Sequence, residues 1–342
     1  MPTAEATPTT SEATATLTET AGAVSTPTIS IAAGPAASPG DLALILDRRL
    51  LVGPLGSMKE ALPPPPTEQA YRAPAWSPDR TTIAFIQTNP FTGDWNADFG
   101  DDIWLTTVDG ERTLLRRHSK LGETLEGLVW SRDGSALLFG VLQWVIEDGI
   151  FLRIDTRLVR LDLASGLETT VALGAFAPSL SGDGRRLAYV RAEVAGPTLI
   201  VTGAVGSDAR TLIEAGTFVR LFCPRLSPDG ATVLFSASVL PEVGTALRKT
   251  PDGLLARLLG PLWPRSASAH GLPSDLWSVD VATGAVRRLT SLDADDICGA
   301  WSPDGHLITA AATGGIYLVS PDSGKVDFVA NSAFGALLDV AR

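Results

Sequence analysis

Histidine is scarce in this sequence, with three residues among 342, and the three do not cluster. His118, His270 and His306 lie in separate segments, and no two of them have the spacing of metal ligands. Ser266 and Ser268 precede His270, but the sequence around them has neither an oxyanion loop nor a nucleophile elbow. We therefore expect no catalytic constellation, and we expect His118 and His306 to be surface residues.

Long apolar runs and excess positive charge are also missing. The longest apolar stretch, 136–146, contains Gln143 and falls short of the roughly 18 residues that a membrane-spanning helix needs. The formal net charge is −11, so the chain repels a phosphate backbone on average. These two absences predict a protein without a transmembrane segment and without a nucleic-acid partner.

The first 40 residues lack the periodicity of a folded segment and consist mostly of Thr, Ala, Pro, Ser and Glu. We predict a disordered tether over 1–40 and one folded domain over 41–342. The tether lacks the charged, apolar and cleavage regions of a signal peptide. It resembles the spacers that follow bacterial signal peptides or lipid anchors. We therefore favour an extracellular or periplasmic protein whose signal or lipid anchor is missing from this sequence, with a cytoplasmic protein as the alternative.

Glycine and proline are abundant, with 33 and 24 residues, and one turn that uses both is repeated along the chain. A pattern close to Ser-Pro-Asp-Gly occurs five times, with its serines spaced 54, 50, 46 and 75 residues apart. In this turn Pro fixes φ, Asp bonds its own backbone, and Gly accepts a positive φ. A period of about 50 residues suits a four-stranded propeller blade. The motif serines are Ser77, Ser131, Ser181, Ser227 and Ser302.

Bulky residues recur immediately before the motif serines. Three copies have tryptophan there and two have leucine, so we interpret this position as packing between blades and not as a ligand-stacking platform. Each copy is followed by a second pair of alternating segments around a polar turn with Gly, which predicts a β-hairpin. The bulky residues are Trp76, Trp130, Leu180, Leu226 and Trp301.

These WSPDG-like turns, each followed by a strand with an I-W or I-Y type of pattern, resemble the WD-like repeats of the TolB-like bacterial β-propellers. The resemblance covers about residues 41–342 and implies an all-β propeller of four-stranded blades. Arg80 replaces the motif Gly, while Arg132 and Gly182 replace the motif Pro. No segment resembles the separate α/β domain of TolB, so the partners of TolB itself are not implied.

Both ends of the folded domain carry strand patterns. FGALLDVAR from Phe334 predicts an inner strand, and GDLALILDRRLLVGPLG from Gly40 predicts a third and a fourth strand. Together they complete a further blade from both termini and leave no free sheet edge. The sequence thus predicts six blades, with five as the alternative.

The two cysteines, Cys223 and Cys298, each lie four residues before a motif serine. They therefore occupy equivalent positions near the channel in adjacent blades. Inner strands of neighbouring blades usually diverge beyond the Cα separation of about 7 Å that a disulfide tolerates. The two cysteines can therefore form either a disulfide or two buried thiols, and the divergence of the strands favours the thiols.

Two unusual loops lie on the face opposite the repeated turns. In the first repeat, Asp94, Asn96 and Asp98 have the alternating oxygen spacing of calcium loops. Phe99 stands where such a loop needs Gly, and Leu105 stands where it closes with Glu. A solvated acidic loop is therefore favoured over a calcium site, and no other cofactor is indicated.

The second loop, 238–274, contains an apolar segment. This segment either packs over the channel or forms a partner-binding surface, since long loops on a rigid scaffold often carry function. Its apolar residues are Leu254, Leu255, Leu258, Leu259 and Trp263.

We therefore predict a monomeric, non-catalytic propeller that binds a protein or peptide on the loop face formed by 87–101 and 238–274. This prediction rests partly on fold analogy, which does not establish function. One alternative is a propeller enzyme that acts on a carbohydrate or peptide ligand, for instance a polyuronate, with a metal in the channel. The other is a module that binds calcium or a small molecule without chemistry.

Overall fold

The computed structural model of the chain describes residues 40–94, 97–147, 150–204, 206–239, 272–331 and 337–341. The described residues form 24 β-strands and no helix, so none of them belongs to a helix that could cross a membrane. The strands assemble into five sheets around a channel, and neighbours run antiparallel apart from one parallel bridge. The all-β propeller fold is thereby confirmed.

Four sheets have four strands each. The first holds β1 (Asp41–Leu46), β2 (Arg49–Pro54), β3 (Lys59–Leu62) and β24 (Leu337–Val340). The second holds β12 (Ala175–Leu180), β13 (Arg186–Glu193), β14 (Gly196–Gly203) and β15 (Arg210–Ile213). The third holds β16 (Arg220–Leu226), β17 (Thr232–Ser238), β18 (Asp275–Asp280) and β19 (Val286–Arg288). The fourth holds β20 (Cys298–Trp301), β21 (Ile308–Ala312), β22 (Gly315–Val319) and β23 (Val326–Ala330).

The fifth sheet has eight strands and consists of two four-stranded meanders. The meanders are joined by a single parallel bridge between Gly100 and Glu123. The first meander holds β4 (Ala70–Trp76), β5 (Thr82–Asn89), β6 (Gly100–Thr107) and β7 (Arg112–Arg116). The second holds β8 (Glu123–Trp130), β9 (Ala136–Glu147), β10 (Ile150–Asp162) and β11 (Glu168–Leu173).

The number of separate blades differs from the prediction. The first strands β4, β8, β12, β16, β20 and β24 contact one another in a closed ring. The described chain nevertheless has four separate four-stranded sheets, and the remaining eight strands are continuous. The counts of six and five separate blades are therefore wrong. Repeat spacing could not show this, because one bridging residue pair joins the two meanders.

Strands from both ends of the folded domain share one sheet. β24 pairs with β1 from Ile45 opposite Leu337 to Leu42 opposite Val340, which confirms the predicted closure. β24 has the predicted inner position, but the segment from Gly40 supplies the second and third strands instead of the third and fourth. The fourth strand is β3, which is short and half exposed and so lacks a clear alternating pattern.

The core lies between neighbouring sheets. Phe85, Phe139 and Phe235 are fully buried, and each stands eight residues after a motif serine. Each packs against apolar residues of an adjacent sheet or meander, and burial of such a side chain stabilises the fold by about 2 kcal/mol. The indole nitrogens of Trp130 and Trp301 donate to carbonyl oxygens on the neighbouring inner strand, each at 3.0 Å. The interpretation of these tryptophans as packing between blades is thereby confirmed.

The repeated turns share one hydrogen-bond network. In all five turns the serine hydroxyl donates to the aspartate two residues later at 2.6 Å. The same oxygen accepts the backbone N–H five residues later at 2.9 or 3.0 Å, which ties the first strand to the second. These bonds from the serine lower the pKa of every turn aspartate: Asp79, Asp133, Asp183, Asp229 and Asp304.

Replacing one turn aspartate tests this network through pH. Bonds from Ser131 and Ser135 lower the pKa of Asp133 to about 2, whereas an unfolded Asp titrates near about 3.9. The stabilisation by Asp133 is therefore complete above about pH 4 and is lost as the pH falls through about 2. We expect Asp133→Asn to lower the urea midpoint most near about pH 7 and progressively less towards about pH 3. Asp109→Asn, in an exposed hairpin turn, controls for the loss of one negative charge. If the difference in urea midpoint between wild type and Asp133→Asn did not decrease towards about pH 3, the result would contradict the network.

Four of the first strands contain a β-bulge at the position four residues before the motif serine. The residues there, Ala73, Gly127, Ala177 and Cys223, all have φ between 46° and 67°, and the strand register shifts at each. A bulge bends the strand and re-aims its side chains. The Cα atoms of Cys223 and Cys298 lie 5.7 Å apart, and the two residues form a disulfide. The preference for two thiols was wrong because it assumed regular, diverging strands.

Candidate functional site: the channel mouth

A cavity opens where the first strands end on the face of the Ser-Pro-Asp-Gly turns. It has two adjacent regions of about 350 and 340 Å³, which share Arg132, Gly182, Arg225 and Asp339. All of its walls come from the ends of first strands or from the turns that follow them. We call this site the channel mouth, and its aromatic and apolar walls include Trp76, Leu128, Trp130, Pro178, Leu226 and Trp301.

The polar groups of the channel mouth are held by neighbouring strands. The Asp339 carboxylate accepts the backbone N–H of Trp76 at 2.9 Å, which links the last strand to the first repeat. Arg132 donates to the carbonyl of Gly182, and Arg225 donates to the carbonyl of Pro224 at 3.0 Å. The mouth thus presents two guanidinium groups and the Asp339 carboxylate beside indole rings, and its arginines can bind an acidic group of a ligand.

The serines at the channel mouth already have structural partners. Ser77, Ser181 and Ser302 line the cavity, and each hydroxyl both donates to its turn aspartate and accepts a backbone N–H. The aspartate beside each serine also accepts a backbone N–H of its own turn, so both side chains are fixed within the turn. Neither His118 nor His306 is among the described residues of the cavity wall, which therefore contain no serine–histidine pair.

The opposite face carries the predicted calcium loop. The two carboxylate oxygens of Asp98 contact Arg117 and Nε2 of His118, the latter at 2.7 Å. Asn96 lies outside the described residues. Within the described ranges, no three His, Cys, Asp or Glu side chains are grouped so that they could hold a metal ion. Calcium binding by Asp94, Asn96 and Asp98 stays a prediction.

His118 is buried and lies between two carboxylates, so its prediction as a surface residue was wrong. Its Nδ1 contacts Asp102 at 2.8 Å, and its backbone N–H donates to the same carboxylate oxygen at 2.8 Å. Burial opposes protonation of the ring, but the bonds to Asp102 and Asp98 outweigh it and raise the pKa of His118. The equivalent Asp275 accepts the backbone N–H of Leu292 at 2.7 Å. The role of Asp102 is therefore structural, and the shared Asp before Ile-Trp or Leu-Trp is the signal that sequence reasoning missed.

An ion pair between half-buried Arg72 and buried Asp101 connects three strands, and no sequence pattern indicated it. Arg72 on β4 contacts the Asp101 carboxylate on β6 at 2.5 Å, and the backbone N–H of Leu125 on β8 donates to the same oxygen at 2.8 Å. Burial raises the pKa of Asp101, although the charge of Arg72 opposes this shift. Glu126 lies 3.9 Å from the same guanidinium. This cluster holds the two meanders together in register.

The predicted partner-binding residues of the fourth repeat, Leu254, Leu255, Leu258, Leu259 and Trp263, all lie in 240–271, outside the described residues. The same holds for Ser266, Ser268 and His270. The structure therefore leaves the partner surface on the loop face as a prediction, and the channel mouth is the site whose geometry is described.

Comparison with known proteins identifies the fold and no more. No family model and no curated protein matches the sequence. TolB from Acinetobacter baumannii has a TM-score of 0.61 and 17% identity over 88% of this chain and 66% of that protein. The chain therefore spans just under two thirds of that protein's length. A putative TolB from Agrobacterium tumefaciens has a TM-score of 0.56 and 16% identity over 88% and 92%. A chain in a nidogen/laminin complex has a TM-score of 0.58 and 10% identity over 88% of this chain and 99% of that one.

Proposed function

We propose that this TolB-like β-propeller is a non-catalytic scaffold that binds a protein through a short peptide segment at the channel mouth. The carrying observation is the cavity itself, which brings Trp76, Trp130 and Trp301 together with Arg132 and Arg225. Binding pockets are typically concave, largely apolar and furnished with a few polar groups, with volumes of about 300–1,000 Å³. The proposal moves the principal site from the loop face to the face of the repeated turns.

The chemistry of the walls favours an extended segment with an acidic residue. Arginine forms bidentate bonds with carboxylates, and it also bonds peptide carbonyl oxygens. Trp76 and Trp301 pack between blades and are each 9% exposed, so with Pro178 they contribute an apolar wall and not a stacking platform. A neighbouring apolar residue of the ligand would contact this wall. The motif serines are engaged in the turns, which supports a binding role over a hydrolytic one.

The same proposal includes the cell envelope as the site of action. The Cys223–Cys298 disulfide is typical of oxidising compartments such as the bacterial periplasm or the extracellular space. Gly40 packs against Pro303 and Val340 at the rim of the channel mouth, so the predicted tether leaves the propeller beside the proposed site.

Selection of peptides from a random displayed library against the folded protein tests the proposal. We expect the selected peptides to contain an acidic residue and to bind at least about tenfold more weakly to Arg132→Ala and to Arg225→Ala. Arg185→Ala is the matched control, because Arg185 lies on the same face but outside the cavity wall. Equal affinities for wild type and both cavity variants, with unchanged melting temperatures, would contradict the proposed site.

A further inference from the structure

The residue immediately before each bulky packing residue lines the channel mouth, and β24 has its equivalent before Val340. In all six first strands this residue pairs with a residue near the start of the strand that follows it in the sheet. The first strands contact one another in a closed ring, so the six residues surround the channel. Two of them are charged, with opposite signs. We call the set the mouth ring: Ala75, Val129, Ser179, Arg225, Ala300 and Asp339.

Asp339 has a structural role that does not need its charge. Its carboxylate accepts the backbone N–H of Trp76 at 2.9 Å. At the equivalent place in the mouth ring, the hydroxyl of Ser179 accepts the backbone N–H of Leu226, also at 2.9 Å. A neutral oxygen therefore suffices to join neighbouring first strands in this way. The negative charge of Asp339 is additional to what this bond requires.

The Asp339 carboxylate has no cation beside it in the described part of the chain. No described Lys, Arg or His nitrogen lies within 4.0 Å of its oxygens. The other acidic residue of the cavity wall, Asp183, lies 3.9 Å from Arg185 and accepts bonds from its own turn. Asp339 is half-buried and borders both regions of the cavity. Because burial removes hydration from a charge, a cation that enters the cavity is stabilised beside this carboxylate.

Arg225 provides the opposite charge in the same ring. Arg225 and Asp339 are separated in the mouth ring by Ala300, and both border both regions of the cavity. The ring thus has one cationic and one anionic position near each other and uncharged side chains at its other places. A ligand that carries both charges fits this ring in one orientation, because the reverse orientation brings like charges together.

We propose that the segment bound at the channel mouth carries a lysine or arginine side chain, which pairs with Asp339, close to the acidic residue that pairs with Arg225. The inference rests on the proposed function and narrows its ligand, because the two arginines alone would accept a segment with acidic residues only. Hydrogen bonds between an ammonium or guanidinium group and a carboxylate are stronger than bonds between neutral groups. A free amino terminus has the same chemistry as a lysine side chain, so the experiment separates the two sources.

Parallel selection of displayed peptides against wild type and Asp339→Asn tests the inference. Asparagine keeps a side-chain oxygen that accepts the N–H of Trp76, so this variant loses the charge and keeps the bond. Each peptide follows a fixed neutral leader, which prevents a free amino terminus from supplying the cation. We expect peptides selected by wild type to carry Lys or Arg at a fixed spacing from the acidic residue, and peptides selected by Asp339→Asn to show no such enrichment.

Replacing the selected cationic residue of the peptide by methionine measures the contact itself. Wild type should lose at least about tenfold in affinity, and Asp339→Asn less than about twofold, which is the coupling expected of a direct charge pair. Asp183→Asn is the matched control, because it removes the other carboxylate of the cavity wall and should keep the tenfold loss. Acetylation of the amino terminus of the synthetic peptide should leave the affinity unchanged.

The outcomes separate this inference from the proposed function. Peptides that need Arg132 and Arg225 but carry no enriched cation, or carry it equally with Asp339→Asn, would overturn the inference and leave the proposed function standing. Affinity lost on acetylation would overturn the assignment to a side chain. If no selected peptide depends on the two arginines, both proposals are wrong. Should Asp339→Asn melt below wild type, Asp339→Ser replaces it, because serine is the residue that accepts the equivalent bond at Ser179.

Discussion

Removal of the Cys223–Cys298 disulfide is expected to lower the free energy of unfolding by about 4 kcal/mol. The bond closes a loop with a sequence separation of 75 residues, and a cross-link of this length restricts the unfolded chain by roughly that amount. It also connects β16 to β20, the first strands of two different sheets. Urea unfolding followed by tryptophan fluorescence, with wild type compared with the double variant Cys223→Ala and Cys298→Ala, measures the difference.

Reductant gives the control for this prediction. If the bond alone is responsible, reduced wild type should unfold near the midpoint of the double variant, and reductant should not change the variant itself. Replacing both cysteines also removes the thiol that a single substitution would leave behind. If the double variant were as stable as oxidised wild type, the disulfide would add nothing to the free energy of unfolding, and the prediction would be wrong.

Arg116→Met is expected to destabilise the protein by about 3–5 kcal/mol. The Arg116 guanidinium contacts Glu123 at 2.6 Å and Glu168 at 2.5 Å, and it lies 5.3 Å from the ring centroid of Phe139. Glu123 is 1% exposed. Burial acts to raise the pKa of Glu123, but the hydrogen bond from Arg116 and its charge have the larger combined effect. The pKa is therefore lowered, and the carboxylate stays ionised. Without Arg116 a buried negative charge remains with no cation, and chemical denaturation measures the cost.

Two comparisons separate this buried network from ordinary surface charge. Lys325→Met removes an exposed ion pair with Asp327 and should change stability by less than about 1 kcal/mol. Combining Arg116→Met with Glu123→Gln removes the unpaired charge and should recover part of the loss. Losses of equal size for Arg116→Met and Lys325→Met would contradict the importance of burial at this site.

The repeated turns and the tryptophan positions could be predicted because they depend on short, local patterns. Ser227, Pro228 and Asp229 lie next to one another, and their bonds form within the same few residues. The pairing of Cys223 with Cys298 depended instead on a bulge, which bends a strand without leaving a recognisable pattern. The burial of His118 and Asp101 depended on contacts with residues 16 to 29 positions away, which no local pattern reveals.

The channel mouth was missed for a related reason. It combines residues as distant as Trp76 and Asp339, which are separated by 263 positions and joined by one hydrogen bond. Sequence reasoning gave weight to long, unusual loops, since length and composition are visible in one dimension. The short and regular turns were interpreted only as connections between strands, although their convergence around the channel creates the described cavity.

The disulfide also changes what a break in the backbone would do. Residues 240–271 lie between Cys223 and Cys298, and β16 and β17 precede that segment while β18 and β19 follow it. A cut within 240–271 would leave two fragments still joined by a covalent bond and by the pairing of β17 with β18. After such a cut the propeller therefore remains one covalent body made of two chains.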